Sequence, residues 1–171
     1  LGVNHPRTLE LQSELAYNEF TRANYVGARS RIDALLHTIG ASSTPLSIRA
    51  LSFSAVLASK VPDPARALAD SQRASAQARA LGDPEVLRTA LNERSFVLFK
   101  TGDYPGALTA MTEALSINRR LFGDKHERVA NVQSSISRIY RQLGNLLLAE
   151  QAARAALDID KAIYPGDDWH T

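Results

Sequence analysis

Few side chains in this sequence have a type and spacing that could catalyse a reaction or bind a metal ion. The histidines are His5, His37, His126 and His170, and no two lie four residues apart, the spacing that places two zinc ligands on one helix face. The serines of segment 134–137 follow no glycine-flanked turn and have no base nearby in the pattern, so they lack the setting of a serine nucleophile. We therefore predict that the chain is not an enzyme and holds no metal ion.

The charged residues are predicted to lie on solvated surfaces and not in a catalytic centre. Glu10 and Glu14 are one helical turn apart, which is typical of a solvated helix face and not of an acid/base pair. The glycines are scattered, so no loop could cradle a phosphate, and we expect no cofactor. Four basic residues in segment 119–128 are followed by Arg138 and Arg141. They form either a phosphate-binding patch or a solvated surface, in which the helix dipole stabilises cations near helix C-termini.

Bulk composition limits the class of protein further. The 171 residues are 44% hydrophobic with a net charge of +2, so the chain can bury a substantial core but has too little charge to indicate a nucleic-acid partner. No apolar run approaches the ~20 residues of a membrane helix, and we expect no membrane insertion. The absence of cysteine fits a cytoplasmic location. Because residues 1–6 include no initial Met and residues 165–171 resemble a turn, we interpret the chain as a fragment of a longer protein.

A repeat determines the predicted fold. The block that begins Gly102-Asp103-Tyr104 recurs 42 residues later at Gly144, and the same spacing relates Ala107 to Ala149. A period of this length in helical sequence is typical of a stacked repeat array. Turn residues divide the chain into eight predicted helices, over about residues 6–22, 26–38, 45–60, 65–81, 84–101, 105–121, 126–143 and 147–163. Short connections make neighbours antiparallel hairpins, with repeats at about 6–40, 45–82, 83–123 and 126–165.

Small and apolar residues indicate how the hairpins pack. An alanine lies three or four residues into the second helix of each pair, at Ala28, Ala67, Ala107 and Ala149, where it lets two helices approach closely. In the first helix, the apolar residues Leu11, Leu15 and Ala16 fall at helical spacing, and in the second helix Ile32, Leu35 and Leu36 are predicted to face inward.

These motifs resemble the tetratricopeptide repeat family, in the long-period form seen in kinesin light chains and many bacterial regulators. Leu1-Gly2-Val3-Asn4-His5-Pro6-Arg7-Thr8 matches its linker, and Tyr25-Val26-Gly27-Ala28 and Gly102-Asp103-Tyr104-Pro105-Gly106-Ala107 match its turn. The resemblance implies an all-α, right-handed α-solenoid of four hairpins, whose first helices line a concave groove. It also implies a structural role for the linker histidines His5 and His126.

In the family, the groove is lined by the helix face opposite the small packing residues. The matching positions of this sequence are the candidate partner-binding residues. They are aromatic, cationic and amide side chains on the four odd-numbered helices: Tyr17, Phe20, Arg49, Phe53, Lys60, Asn92, Phe96, Phe99, Lys100, Asn131, Ser135, Arg138 and Arg141. Aromatics beside cations suit a protein or peptide with apolar anchors and carboxylates. Phe96 and Phe99 have an alternative interpretation, in which both rings are buried against neighbouring helices and do not bind a partner.

Two functions follow from this fold. The first is a protein–protein interaction scaffold that binds a peptide or helical segment in its groove, as the regulatory part of a bacterial signalling protein. The alternative is self-association, because a repeat array leaves apolar surface at an uncapped end.

Overall fold

The computed structural model describes residues 2, 4–61 and 63–165, which form eight α-helices and no strand. The helices are α1 (Pro6–Thr21), α2 (Tyr25–Ile39), α3 (Pro45–Lys60), α4 (Pro64–Leu81), α5 (Pro84–Thr101), α6 (Tyr104–Phe122), α7 (Glu127–Gln142) and α8 (Leu146–Ile163). They pair as four antiparallel hairpins that stack into a right-handed α-solenoid. Since 84% of the described residues are helical, the predicted all-α class is confirmed.

The helices begin and end where local chemistry requires it. Asp103 accepts a hydrogen bond from the backbone N–H of Gly106 at 2.9 Å, and Asn145 accepts one from Leu148 at 3.2 Å. Such caps satisfy the first N–H groups, which have no partner within the helix. Helix α5 ends at Gly102 with φ of 88°, a left-handed conformation that costs glycine little. Because these signals are local, the predicted helix bounds lie within one residue of the observed ones.

The alanines predicted at the hairpin crossings are buried. Ala28, Ala67 and Ala107 have no exposed surface, and Ala149 has 7%. At the α5–α6 crossing the Ser95 hydroxyl donates to the carbonyl of Ala107 at 2.9 Å, which holds the two backbones close together. The core consists of successive clusters between neighbouring hairpins, as expected when each repeat contacts only the next.

Several apolar residues at the two ends of the described array are exposed. Of the three apolar residues at helical spacing on α1, Ala16 is buried, whereas Leu11 and Leu15 are 42% and 46% exposed. Helix α1 packs through Leu9, Ala16 and Phe20, and no helix of the described residues covers its other side. The same effect appears at α8 in the described chain. There Leu157 is 44% exposed, whereas its repeat equivalent on α6 is buried beneath α7.

A polar network joins the first two hairpins. Arg66 on α4 pairs with Asp33 on α2, and its Nε donates to Asp70 Oδ2 at 3.2 Å. The Ser54 hydroxyl on α3 donates to the same oxygen at 2.7 Å. Hydrogen bonds to Asp33 raise the pKa of Arg66, so this guanidinium stays charged. The network satisfies the buried Asp70 carboxylate and fixes three helices relative to one another.

Candidate functional site

Aromatic side chains form the floor of a groove on the odd-numbered helices, in the N-terminal half of the described array. Tyr17 and Phe20 are three residues apart on α1, so both project from one side of that helix. The ring centroid of Phe53 on α3 lies 5.9 Å from that of Tyr17 and 5.5 Å from that of Phe20. Tyr17 remains exposed while both phenylalanines are half-buried. The three rings thus offer an apolar surface that is already ordered.

Above this floor lies a cavity of about 810 Å³, here called the N-terminal pocket. Side chains of α1, α3 and α5 line it. Its charged lining residues are Glu10, Glu14 and Glu93, opposed by the single cation Arg49. The pocket therefore combines an aromatic floor with an excess of negative charge.

A second cavity of about 280 Å³, here called the C-terminal pocket, lies between α5 and α7. Phe96, Phe99, Val132 and Ile139 supply apolar lining, and Arg138 supplies a cation. The Arg138 guanidinium lies 5.4 Å from the centroid of the Phe99 ring. Contacts of this kind are favourable because the ring face is electron-rich.

Two lysines lie beside the C-terminal pocket. The Nζ atoms of Lys60 and Lys100 are 6.0 Å and 5.9 Å from the centroid of the Phe96 ring. Both side chains are exposed, and their charges lie near the pocket because Phe96 is one of its lining residues. With Arg138 they make this half of the groove positive.

Glu93 on α5 lines both pockets and marks the boundary between them. Burial raises the pKa of Glu93 because desolvation penalises the charged carboxylate. No ion pair joins Glu93 to another described residue. The Oδ1 atom of the adjacent Asn92 is buried and has no hydrogen-bond partner in the described part of the chain. The centre of the groove thus contains polar atoms that lack partners.

The structure places most of the candidate groove residues at these two pockets. Four line the N-terminal pocket (Tyr17, Phe20, Arg49 and Phe53), and five line the C-terminal pocket (Asn92, Phe96, Phe99, Ser135 and Arg138). Lys60 and Lys100 contact the Phe96 ring, while Asn131 and Arg141 are exposed on α7 outside both pockets. Phe96 and Phe99 are half-buried against core clusters and also line the pocket, so each ring packs and faces the groove.

Sequence reasoning missed Glu93, although the repeat contained the signal. Glu93 precedes Ser135 by the same 42 residues that separate the two turn glycines, and Ser135 was a candidate. A consistent application of that register would have placed Glu93 on the groove face. Glu10 and Glu14, which were interpreted as a solvated face, are exposed and also line the N-terminal pocket.

The other residues considered for chemistry have structural contacts. His5 and His126 cap α1 and α7, since their Nδ1 atoms accept from the backbone N–H of Arg7 and Arg128 at 3.2 Å and 3.1 Å. The Ser137 hydroxyl donates to the carbonyl of Ala149 at 2.7 Å, the same contact that Ser95 makes one repeat earlier.

The basic segment 119–128 is partly neutralised by carboxylates. Arg119 pairs with Asp124 at 3.1 Å, and Arg128 pairs with Glu85 at 3.3 Å. Arg128 also stacks on Phe122 at 4.7 Å. Within residues 2, 4–61 and 63–165, no three potential metal ligands are grouped, and no helix is long and apolar enough to cross a bilayer.

A stack of helical hairpins with a groove along its first helices is the architecture of a helical-repeat scaffold for protein–protein interaction. The tetratricopeptide repeat model matches residues 85–162, so the resemblance seen in the motifs is confirmed and this segment consists of tetratricopeptide repeats. No curated protein sequence matches the chain.

Solved structures show the same fold along nearly the whole chain. BtubC (BKLC) from P. vanneervenii matches 96% of this chain with a TM-score of 0.83 at 15% identity. A kinesin-light-chain-like protein with nearly identical TPR-like repeats, from Podosopora anserina, matches 95% with a TM-score of 0.82 at 15% identity. A STAND signal-transduction ATPase with a tetratricopeptide repeat sensor, from Pyrococcus horikoshii, matches 92% with a TM-score of 0.80 at 16% identity. The chain spans 66%, 79% and 24% of these three proteins, respectively.

Proposed function

We propose that this chain binds a peptide or helical segment of a partner protein in its concave groove. The observation that supports the proposal is the pair of adjoining pockets on the odd-numbered helices, each with aromatic side chains beside charged ones. Ordered aromatic anchors provide much of the binding energy in protein interfaces, and neighbouring charges give specificity. The partner has apolar side chains for the rings and carboxylates for Lys60, Lys100 and Arg138.

We further propose that the chain is the regulatory part of a cytoplasmic bacterial signalling protein. The Pyrococcus horikoshii protein, whose repeats are described as a sensor, provides the model for this arrangement. In such an arrangement, occupancy of the groove would report the presence of a partner to other parts of the protein.

The binding proposal is tested with a displayed library of peptides of about twelve residues, which span ~40 Å when extended. Binders are selected on the purified parent chain, and their affinities are then measured by fluorescence anisotropy. We expect Lys100→Glu and Arg138→Glu each to weaken binding at least about tenfold, because each replaces an attraction by a repulsion.

Arg120→Glu is the matched control, since Arg120 is exposed on α6 and undergoes the same change of charge. We expect binding to this variant to be unchanged. Unchanged affinity in both groove variants, with their circular dichroism spectra intact, would place the binding site elsewhere on the molecule.

Self-association is a second candidate function, with a second copy of the chain as the partner. Leu146, Leu147 and Leu157 are exposed on α8, in the last hairpin that the structure describes. A second copy would cover these side chains as the next hairpin covers the equivalent surface within the array. Light scattering after size exclusion tests it: a dimer in the parent that becomes a monomer in Leu157→Glu would support self-association, and a monomeric parent would exclude it.

A further inference from the structure

The two halves of the groove have opposite charge, and this asymmetry limits what the groove accepts. Resting on the proposed binding function, we infer that the groove selects a dipolar protein segment. Its lysine or arginine side chain lies in the N-terminal pocket, and its aspartate or glutamate side chain lies against Lys60, Lys100 and Arg138. Apolar side chains between the two charges cover the aromatic rings. The order of charges along the segment, and not its net charge, is the property that the groove recognises.

The N-terminal pocket lacks the positive charge needed to balance its carboxylates. Arg49 is its one cation, against Glu10, Glu14 and Glu93. Glu10 is engaged by Arg7 on the same helix at 3.5 Å, whereas no described residue forms an ion pair with Glu14. A cation from a bound segment would supply the missing charge, within a pocket whose walls reduce its screening by water.

Glu93 strengthens this argument because it lies deep in the same pocket. Its desolvated carboxylate is penalised when charged, which raises its pKa. A lysine or arginine placed beside it would favour the charged form and relieve that penalty. An aromatic floor beside carboxylates also suits the long apolar stem of a lysine or arginine side chain.

The C-terminal half of the groove has the opposite deficit, since three cations lie in or beside its pocket and Glu93 at the boundary is its one carboxylate. Lys60 and Lys100 have their Nζ atoms 6.0 Å and 5.9 Å from the centroid of the Phe96 ring, so the two like charges are at most 11.9 Å apart. Arg138 lies on the ring of Phe99 nearby. Among the described residues none of these three cations forms an ion pair with a carboxylate. A carboxylate from a bound segment would be attracted by all three and would reduce their mutual repulsion.

The spacing of the two charges follows from the helix packing. The pockets adjoin at Glu93, and their outer walls are α1 and α7, with α3 and α5 between them. The N-terminal pocket is centred on α3 and the C-terminal pocket lies between α5 and α7. Because packed helices lie about 8–10 Å apart, the pocket centres are roughly one and a half helix spacings apart. An extended chain advances ~3.3 Å per residue, which places the basic and acidic residues about four positions apart.

The inference is tested with peptides from the displayed library of the preceding section. Enriched peptides should have a basic residue and an acidic residue about four positions apart, with apolar residues between them. A permuted peptide of identical composition, with the basic and acidic positions exchanged, is the control for net charge. We expect the permuted peptide to bind the parent at least about tenfold more weakly.

Reversal of the groove charges provides the decisive comparison. In the double variant Glu14→Lys, Arg138→Glu, the permuted peptide should bind more tightly than the original one. Asp158→Lys on α8 is the control for Glu14→Lys, since it also replaces a carboxylate by an ammonium group. It should leave the affinities for the original and the permuted peptide as they are in the parent. Equal affinities of the original and permuted peptides for the parent would overturn the inference while leaving the groove as a binding site. A library that yields no peptide dependent on Lys100 or Arg138 would instead overturn the proposed function itself.

Discussion

Replacement of Ala107 by tryptophan tests the packing that creates the groove. Ala107 has no exposed surface and lies where α5 and α6 cross. The hydrogen bond from the Ser95 hydroxyl to its carbonyl, 2.9 Å long, shows how closely the two helices approach at this point. An indole cannot be accommodated there unless α6 moves away from α5, and the cost of such overpacking is about 3 kcal/mol or more.

That cost converts into a measurable shift in melting temperature. For a domain of this size, 1 kcal/mol corresponds to ~2–4 °C, so Ala107→Trp should melt at least about 6–12 °C below the parent. Ala149→Trp should cost less, because Ala149 retains 7% exposure and lies in the last described hairpin. Ala153→Trp is the control, since Ala153 is exposed on the same helix α8.

The assay is thermal unfolding followed by far-ultraviolet circular dichroism. The predicted order of melting temperatures is Ala153→Trp closest to the parent, then Ala149→Trp, then Ala107→Trp. If Ala107→Trp melts within about 2 °C of the parent, the repeat register and the hairpin crossing assigned here are incorrect.

Two further predictions concern polar groups. Because burial raises the pKa of Glu93 above 4.5, the folded protein binds a proton there more tightly than the unfolded chain, and this stabilisation is lost as the pH rises through the raised pKa. Glu93→Gln should therefore melt above the parent at about pH 7 and together with it at about pH 3, and a difference that persists at low pH would contradict this cause. Arg66→Gln leaves the buried Asp70 with only Ser54 as a strong partner and should cost about 1–3 kcal/mol, measured by urea unfolding. Arg73→Gln is its control, since Arg73 is exposed and 3.9 Å from Asp70; an equal cost in both variants would refute a special role for Arg66.

The helices and the alanine crossings could be predicted because their signals are local. A capping side chain such as Asp103 and a glycine such as Gly102 determine a helix boundary whatever the rest of the chain does. The 42-residue repeat then places equivalent alanines at equivalent crossings, as Ala107 and Ala149 show.

Burial that depends on a neighbouring helix could not be predicted in this way. Leu11 and Leu15 have helical spacing, but no helix of the described chain covers that side of α1, so they stay exposed. Glutamate is a residue type that is normally solvated, yet the packing of α1, α3 and α5 partly encloses Glu93. The network of Arg66 likewise requires three helices to meet, which no single segment of sequence indicates.

Binding in the concave groove can be tested by photo-crosslinking of a library-selected peptide to single positions on the two faces of the array. Benzoylphenylalanine is introduced at Tyr17 on α1, in the groove, or at Val26 on α2, and both native side chains are more than half exposed. We predict that the peptide crosslinks at position 17, that excess unlabelled peptide removes the product, and that position 26 gives none. Crosslinking at position 26 without crosslinking at position 17 would contradict binding in the concave groove.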